Sequence, residues 1–145
     1  MDNTAREIVD LLGIRKESRG RNASDLDLLA HLKAGLPYSS VESVQQRLRL
    51  GKTELLALID MNSRTLSRRK HEKRLRPDES DRLSRLARIA SMAIEVLGSE
   101  DNAIRWLRHP NAALGGMPPM SYLITDLGTR RVETVLSHID YGDIS

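Results

Sequence analysis

The sequence predicts an all-α protein built on a helix-turn-helix core. Three observations carry that expectation. Apolar residues recur at three- and four-residue intervals, with no sustained period-two alternation and no hairpin turn between β-branched runs. The 145 residues include one Trp, three Tyr and no Phe, so the core must come from Leu, Ile, Val, Ala and Met, which suits packed helices. Helix signals also punctuate the chain: Ser, Asp or Pro opens the periodic stretches and Gly closes most of them.

Taken in order, residues 4–12 read as a short helix with Ile8, Val9, Leu11 and Leu12 on one face, closed by Gly13. Residues 14–23 are mostly polar and read as a linker. Ser24 and Asp25 open a second helix with Leu26, Leu29 and Leu32 spaced for one face, stopped at Gly35. After Leu36-Pro37, Ser39-Ser40 precede a third helix carrying Val41, Val44, Leu48 and Leu50, ended by Gly51. A fourth spans residues 52–60, with apolar positions 55, 56, 58 and 59.

The chain is organised around the stretch that follows, residues 61–77. It holds Arg64, Arg68, Arg69, Lys70, Lys73, Arg74 and Arg76 against one acid, Glu72. Met61-Asn62 form the break, Asn62 standing where glycine is usual because Asn tolerates left-handed backbone angles. Ser63 is the expected N-cap, and Leu66 the expected inward anchor. At about 100° per residue, Arg64 and Arg68 then point away from the core, with Ser67 beside them. Arg69 and Lys70 fall nearer the core edge, within reach of phosphates. A helix, a tight turn and a capped basic helix make the helix-turn-helix pattern, and forked arginine donors suit guanine edges. The expected DNA-binding set is Ser63, Arg64, Thr65, Ser67, Arg68, Arg69, Lys70, Lys73 and Arg74. A basic run can equally be a solvated face; the preceding helix tips the balance towards nucleic acid.

Pro77 with Asp78-Glu79 begins a long helix to Leu97, where proline fits the first turn and acids favour the positive N-terminus. Its expected buried stripe is Leu83, Leu86, Ala87, Ala90, Ile94 and Leu97; Arg82, Arg85 and Arg88 read as solvated. Ser99 caps another helix through Arg108, on which Trp106 is expected in the core beside Ile104 and Leu107. Residues 109–119 contain Pro110, Gly115-Gly116 and Pro118-Pro119 and cannot be helical throughout. Two short helices follow, the first ended by Leu127-Gly128 and the second near Tyr141-Gly142.

Charge is unevenly spread. The net charge is +3, yet residues 1–37 are neutral, residues 38–98 carry +5 and residues 99–145 carry −2. The middle therefore faces an anion and the end something else. With no cysteine, disulfides and thiolate metal sites are excluded, and a reducing cytoplasm is compatible. No apolar run reaches the ~20 residues of a membrane span, and the N-terminus has no signal-peptide pattern. His31, His71, His109 and His138 lack metal-ligand spacing, no GxSxG elbow is present, and Gly115-Gly116 lacks the strand and lysine of a phosphate loop. No enzyme, metal or cofactor is expected.

The last third is the most specific. Ala103, Trp106 and Leu107 form A-x-x-WL, followed by Pro110-Asn111, ALGG from Ala113 to Gly116, Pro119, the Thr125 and Gly128 pair, and L-x-x-I-x-Y-G from Leu136 to Gly142. These features in this order resemble the toxin-binding domain of the Xre/MbcA/ParS antitoxin family. Upstream, GLPYSSVES, RTLSRRK, RLRPDESDRL and LARIASMAIEVLG resemble the family's Xre-type DNA-binding region. The resemblance is strong over residues 36–145 and weak before. Met117 departs from it, standing where a polar or basic residue followed by Thr-Pro is commoner.

That resemblance implies an antitoxin of a type II toxin–antitoxin pair. Its partner would be a RES-type toxin, an enzyme that degrades NAD, whose NAD site the antitoxin's C-terminal end occludes. The Xre-type part would repress the operon by binding promoter DNA, as a homodimer or a toxin–antitoxin complex. The implied layout is N-terminal helices over 1–37, a helix-turn-helix domain over 38–98 and a toxin-binding domain over 99–145. The implied location is the cytoplasm, at the nucleoid when on DNA. The expected toxin-binding residues are Leu114, Gly115, Gly116, Tyr141, Gly142, Asp143, Ile144 and Ser145. Asp140, Asp143 and a terminal carboxylate would suit an arginine-bearing phosphate pocket. The alternative is a free-standing helix-turn-helix repressor with a C-terminal dimerisation domain.

Overall fold

A computed structural model describes the backbone of residues 2–14 and 25–140, and the side chains of 7–14 and 26–140. Nine α-helices lie among the described residues: α1 (Asp2–Leu11), α2 (Asp25–Ala34), α3 (Ser39–Arg47), α4 (Lys52–Leu58), α5 (Ser63–Glu72), α6 (Pro77–Leu97), α7 (Glu100–Arg108), α8 (Pro119–Tyr122) and α9 (Asp126–Asp140). A 3-10 turn spans Ala112–Leu114. No strand occurs among these residues. The bridges Pro37–Arg74 and Asn111–Met117 are isolated. The expected linker over 14–23 lies, apart from Ile14, outside the described residues, and Ile14 itself is buried.

The chain divides into two compact units between Arg88 and Ile89, inside α6. The expected boundary was the end of that helix. In the first unit, Ile8, Val9, Leu11, Leu12, Val41, Val44, Leu48, Leu55, Leu58, Leu66 and Leu83 are buried. In the second, Ala103, Ile104, Leu107, Leu114, Met120, Leu123, Val132 and Leu136 are buried. The aliphatic core read from composition is therefore present in both.

One helix ending recurs in the first unit. In α1, Gly13 N–H bonds the Asp10 carbonyl and Ile14 N–H the Val9 carbonyl; Gly13 has φ +68°. In α3, Arg49 N–H bonds Gln46 and Leu50 N–H bonds Gln45, with Arg49 at φ +55°. In α4, Asp60 N–H bonds Ala57 and Met61 N–H bonds Leu56, with Asp60 at φ +51°. Each is a Schellman ending, which satisfies two orphan carbonyls and turns the next side chain back on the helix. Ile14 and Leu50 are buried by this turn.

Several sequence expectations shift. On α2, Leu26 is 77% and Leu29 50% exposed while Leu32 is half-buried, so the helical spacing holds but most of that face is open. On α6 the buried stripe takes in Ile89, Ser91 and Ala93, while Ile94 and Leu97 are only half-buried. The helix expected to stop at Leu127-Gly128 ends at Tyr122, and α9 begins at Asp126 with Gly128 inside it. Thr125 explains the restart: its hydroxyl accepts from Gly128 N–H at 3.0 Å, capping α9 before the glycine.

Candidate functional site

The turn between α4 and α5 is built differently from the sequence expectation. Asp60, not Asn62, takes the left-handed position, which Asp tolerates better than most residues. Asn62 is extended (φ −93°, ψ 165°) and is itself the N-cap, its side-chain oxygen accepting from Thr65 N–H at 2.7 Å. Ser63 is the first helical residue. The dipeptide therefore needs no glycine: the previous residue turns the chain and Asn62 starts the helix.

From that start α5 presents a sorted surface. Leu66 is buried, while Arg64, Ser67, Arg68, Lys70 and His71 are exposed and Thr65 is half-buried. The side chains of Arg64, Arg68 and Lys70 make no hydrogen bond or ion pair with another described residue. Arg64 and Arg68, four residues apart, share one outward face. Lys73 ends the helix in a left-handed conformation, φ +65°.

Arg69 does not stand at the phosphate-reaching edge. It is 4% exposed, its Nε donates to Glu79 Oε1 at 2.7 Å and its Nη1 to Glu72 Oε1 at 3.1 Å. The reason is angular: Arg69 follows Leu66 by three residues and shares its inner face. Arg74 is also engaged, its Nη1 donating to the Gly35 carbonyl at 2.8 Å, though it stays exposed. Arg82, read as solvated, donates through Nε to the Ile59 carbonyl at 2.8 Å and so ties α6 to the end of α4.

Glu79 also caps α6. It is the third helical residue and accepts from Arg76 N–H at 2.8 Å, the returning half of a capping box. Burial pushes its carboxyl up, but hydrogen bonds from Arg69 and Arg76 with the Arg69 charge outweigh that and hold it below the usual range. The Glu79 hydrogen bond raises the Arg69 guanidinium further, against burial. A strap fixes the exit of α5: Leu75 N–H bonds the Leu36 carbonyl, Tyr38 N–H bonds Lys73, and Leu36 N–H bonds Ser80 Oγ at 2.7 Å. Gly35, at φ +92°, is required there, since a Cβ would strike the Leu75 carbonyl.

In the second unit, Asn111 caps the 3-10 turn by accepting from Ala113 N–H at 2.9 Å. Gly115 and Gly116 follow with φ +67° and +82°, both exposed. Leu114 is buried, so its side chain anchors the loop instead of facing outward; its carbonyl accepts from Tyr122 Oη at 2.9 Å and Met117 N–H at 3.2 Å. Tyr141, Gly142, Asp143, Ile144 and Ser145 lie outside the described residues. Trp106 is half-buried, not a core residue. With Leu97, Asn102, Arg105 and His109 it lines an open groove of about 360 Å³.

Among the described residues no cluster of His, Asp or Glu could hold a metal ion, and no helix is long and apolar enough to cross a membrane. Comparison with known proteins matches both units. Residues 92–142 match the family model described as the antitoxin Xre/MbcA/ParS C-terminal toxin-binding domain. Residues 27–88 match the antitoxin Xre-like helix-turn-helix domain. Three similar curated proteins are each called "Antitoxin Xre". That of Photorhabdus laumondii is 32% identical over 86% of this chain and 85% of its own. That of Yersinia enterocolitica is 30% identical over 81% of each, and that of Pseudomonas putida 36% over 83% of this chain and 75% of its own.

Proposed function

Because the chain belongs to the Xre/MbcA/ParS antitoxin family, we propose that its toxin is of the RES type and that it blocks that enzyme's NAD site while repressing its own operon. At family level it is an antitoxin and not an enzyme, with a DNA-binding helix-turn-helix domain followed by a toxin-binding domain. The RES assignment rests on the resemblance of the 103–142 motif series. The tail supports it chemically: Asp140 and Asp143 flank Tyr141-Gly142 and would meet arginines that hold NAD phosphates. Inhibition is then occlusion, with no bond made or broken.

On the DNA side the supporting observation is the unpaired outward face of α5. Arg64, Ser67 and Arg68 read base edges, and Lys70 and Lys73 meet phosphates. Ser63 and Thr65 complete the surface at the helix start, where the first-turn N–H groups that Asn62 does not cap favour a phosphate. Arg69 is left out, because its charge is already matched inside the fold. One short helix reads few bases, so the antitoxin acts as a homodimer on a two-part operator.

The test is co-expression with the product of the neighbouring gene. A stable complex, with NAD consumption suppressed, is the expected result. Absence of a complex together with no rescue from that gene's toxicity overturns the reading. Deleting residues 143–145 separates the tail from the rest: NAD-site protection should weaken while promoter binding is unchanged. Equal inhibition by the truncated protein removes the tail from the mechanism.

A further inference from the structure

We infer that Met117, Ile124 and Leu127 form the apolar docking surface on which the toxin seats. This rests on the toxin-binding reading above and adds a surface distinct from the tail. The three are the exposed large apolar side chains of the second unit among the described residues: Met117 51%, Ile124 48% and Leu127 75% exposed. They cluster within eleven residues of sequence.

Tyr122 ties them together. Its hydroxyl bonds the Leu114 carbonyl, which also accepts from Met117 N–H. Its own carbonyl packs so closely on Gly128, next to Leu127, that a Cβ there would strike it. Between these ends, Thr125 caps α9 through its hydroxyl and fixes the turn that carries Ile124. The surface is therefore held before any partner arrives, which limits the ordering cost of binding.

Charge selects the occupant. The chain is 30% charged, yet residues 111–125, which carry Met117 and Ile124, contain no Asp, Glu, Lys or Arg; Leu127 stands at the edge of this stretch, beside the exposed Asp126–Arg130 pair. Depletion of charge around exposed apolar side chains marks the centre of a protein interface. Nucleic acid is disfavoured, because phosphate binding needs cations that this stretch lacks. The occupant is the toxin, through an apolar patch of its own, because this segment lies within the part of the chain that matches a toxin-binding domain.

The experiment uses the full-length antitoxin and the purified product of the neighbouring toxin gene, with affinity measured by calorimetry. Met117→Asp, Ile124→Asp and Leu127→Asp are made singly, and the last two together. Each single change should weaken binding about tenfold or more, and the pair about a hundredfold or more. Thermal melting and promoter binding should not change, since all three side chains are exposed. Wild-type binding with variants within about threefold of it overturns the surface and leaves the antitoxin reading standing. If the wild type itself binds no toxin, the antitoxin reading fails and the surface with it. If the variants instead alter the antitoxin's own oligomeric state with toxin affinity intact, the occupant is a second copy and the inference is wrong.

Discussion

Arg69 of α5 donates to Glu79 at 2.7 Å, and the same carboxylate oxygen caps the first turn of α6. One acid thus starts one helix and holds another in place. Removing a single partner from a buried ion pair costs up to about 3–5 kcal/mol, the full value applying where the other charge is left uncompensated, and without Glu79 the Arg69 guanidinium keeps only the exposed Glu72. Glu79→Ala should therefore destabilise the first unit by that order and weaken DNA binding through a misaimed α5. Glu72→Ala, at the exposed end of the network, should cost about 0–1 kcal/mol. Urea unfolding of the two variants decides between them. Equal costs would show that Glu79 does not fix the helix.

The same pair sets an acid limit. The Glu79 carboxyl is held below its ordinary range in the folded protein. Its contribution is complete above the unfolded carboxylate pKa and is lost as pH falls through the lower, folded value. Stability should fall across that acid window in the wild type and fall less in Glu79→Gln. A pH series of denaturant midpoints reads the difference; parallel curves would remove Glu79 as a cause.

Asn62 and Ser63 give a sharp test of the cap. Asn62→Ala should destabilise by about 1 kcal/mol, because Thr65 N–H loses its acceptor. Ser63→Ala should stay within about 0.5 kcal/mol on stability, being exposed and not the cap. The reverse ranking in thermal melts would restore the cap to Ser63.

Arg64→Ala with Arg68→Ala should cost about 1–3 kcal/mol of discrimination per lost base contact. Lys70→Ala should weaken all sequences alike and reduce the salt slope by about one. Mobility shifts at several salt concentrations, on promoter and random DNA, distinguish the two. Specific binding left intact by the double variant would remove α5 from base recognition.

Gly128→Ala places a methyl group against the Tyr122 carbonyl. The α8–α9 corner must open, at about 1–3 kcal/mol by the usual cost of overpacking. Weakened toxin binding with unaltered affinity for promoter DNA is the expected outcome. Unchanged melting and toxin affinity would show that the corner has slack.

The fold class was legible because helical periodicity and caps are local properties. The spacing of Leu55, Leu58 and Leu66 and the motif series of Ala103 to Gly142 were enough for the helix-turn-helix and the toxin-binding domain. Boundaries were less legible where two local signals competed. Gly128 looked like a stop, but Thr125 had already capped the next helix. Asn62 and Ser63 are both good caps, and only the left-handed turn at Asp60 chose Asn62.

The sequence by itself determined which helices form and which family they build, since both depend on residue order along the chain. Tertiary structure decided which charges remain free. Arg64 and Arg69 are the same residue type, five positions apart on one basic helix. Arg69 is withdrawn because Glu79, ten residues on, folds back against it, and Arg64 stays exposed and unpaired because no described carboxylate meets it. Leu114 and Leu127 divide in the same way, the first buried and the second open. Burial is settled by what the rest of the chain brings alongside, and residue order along one helix does not contain that information.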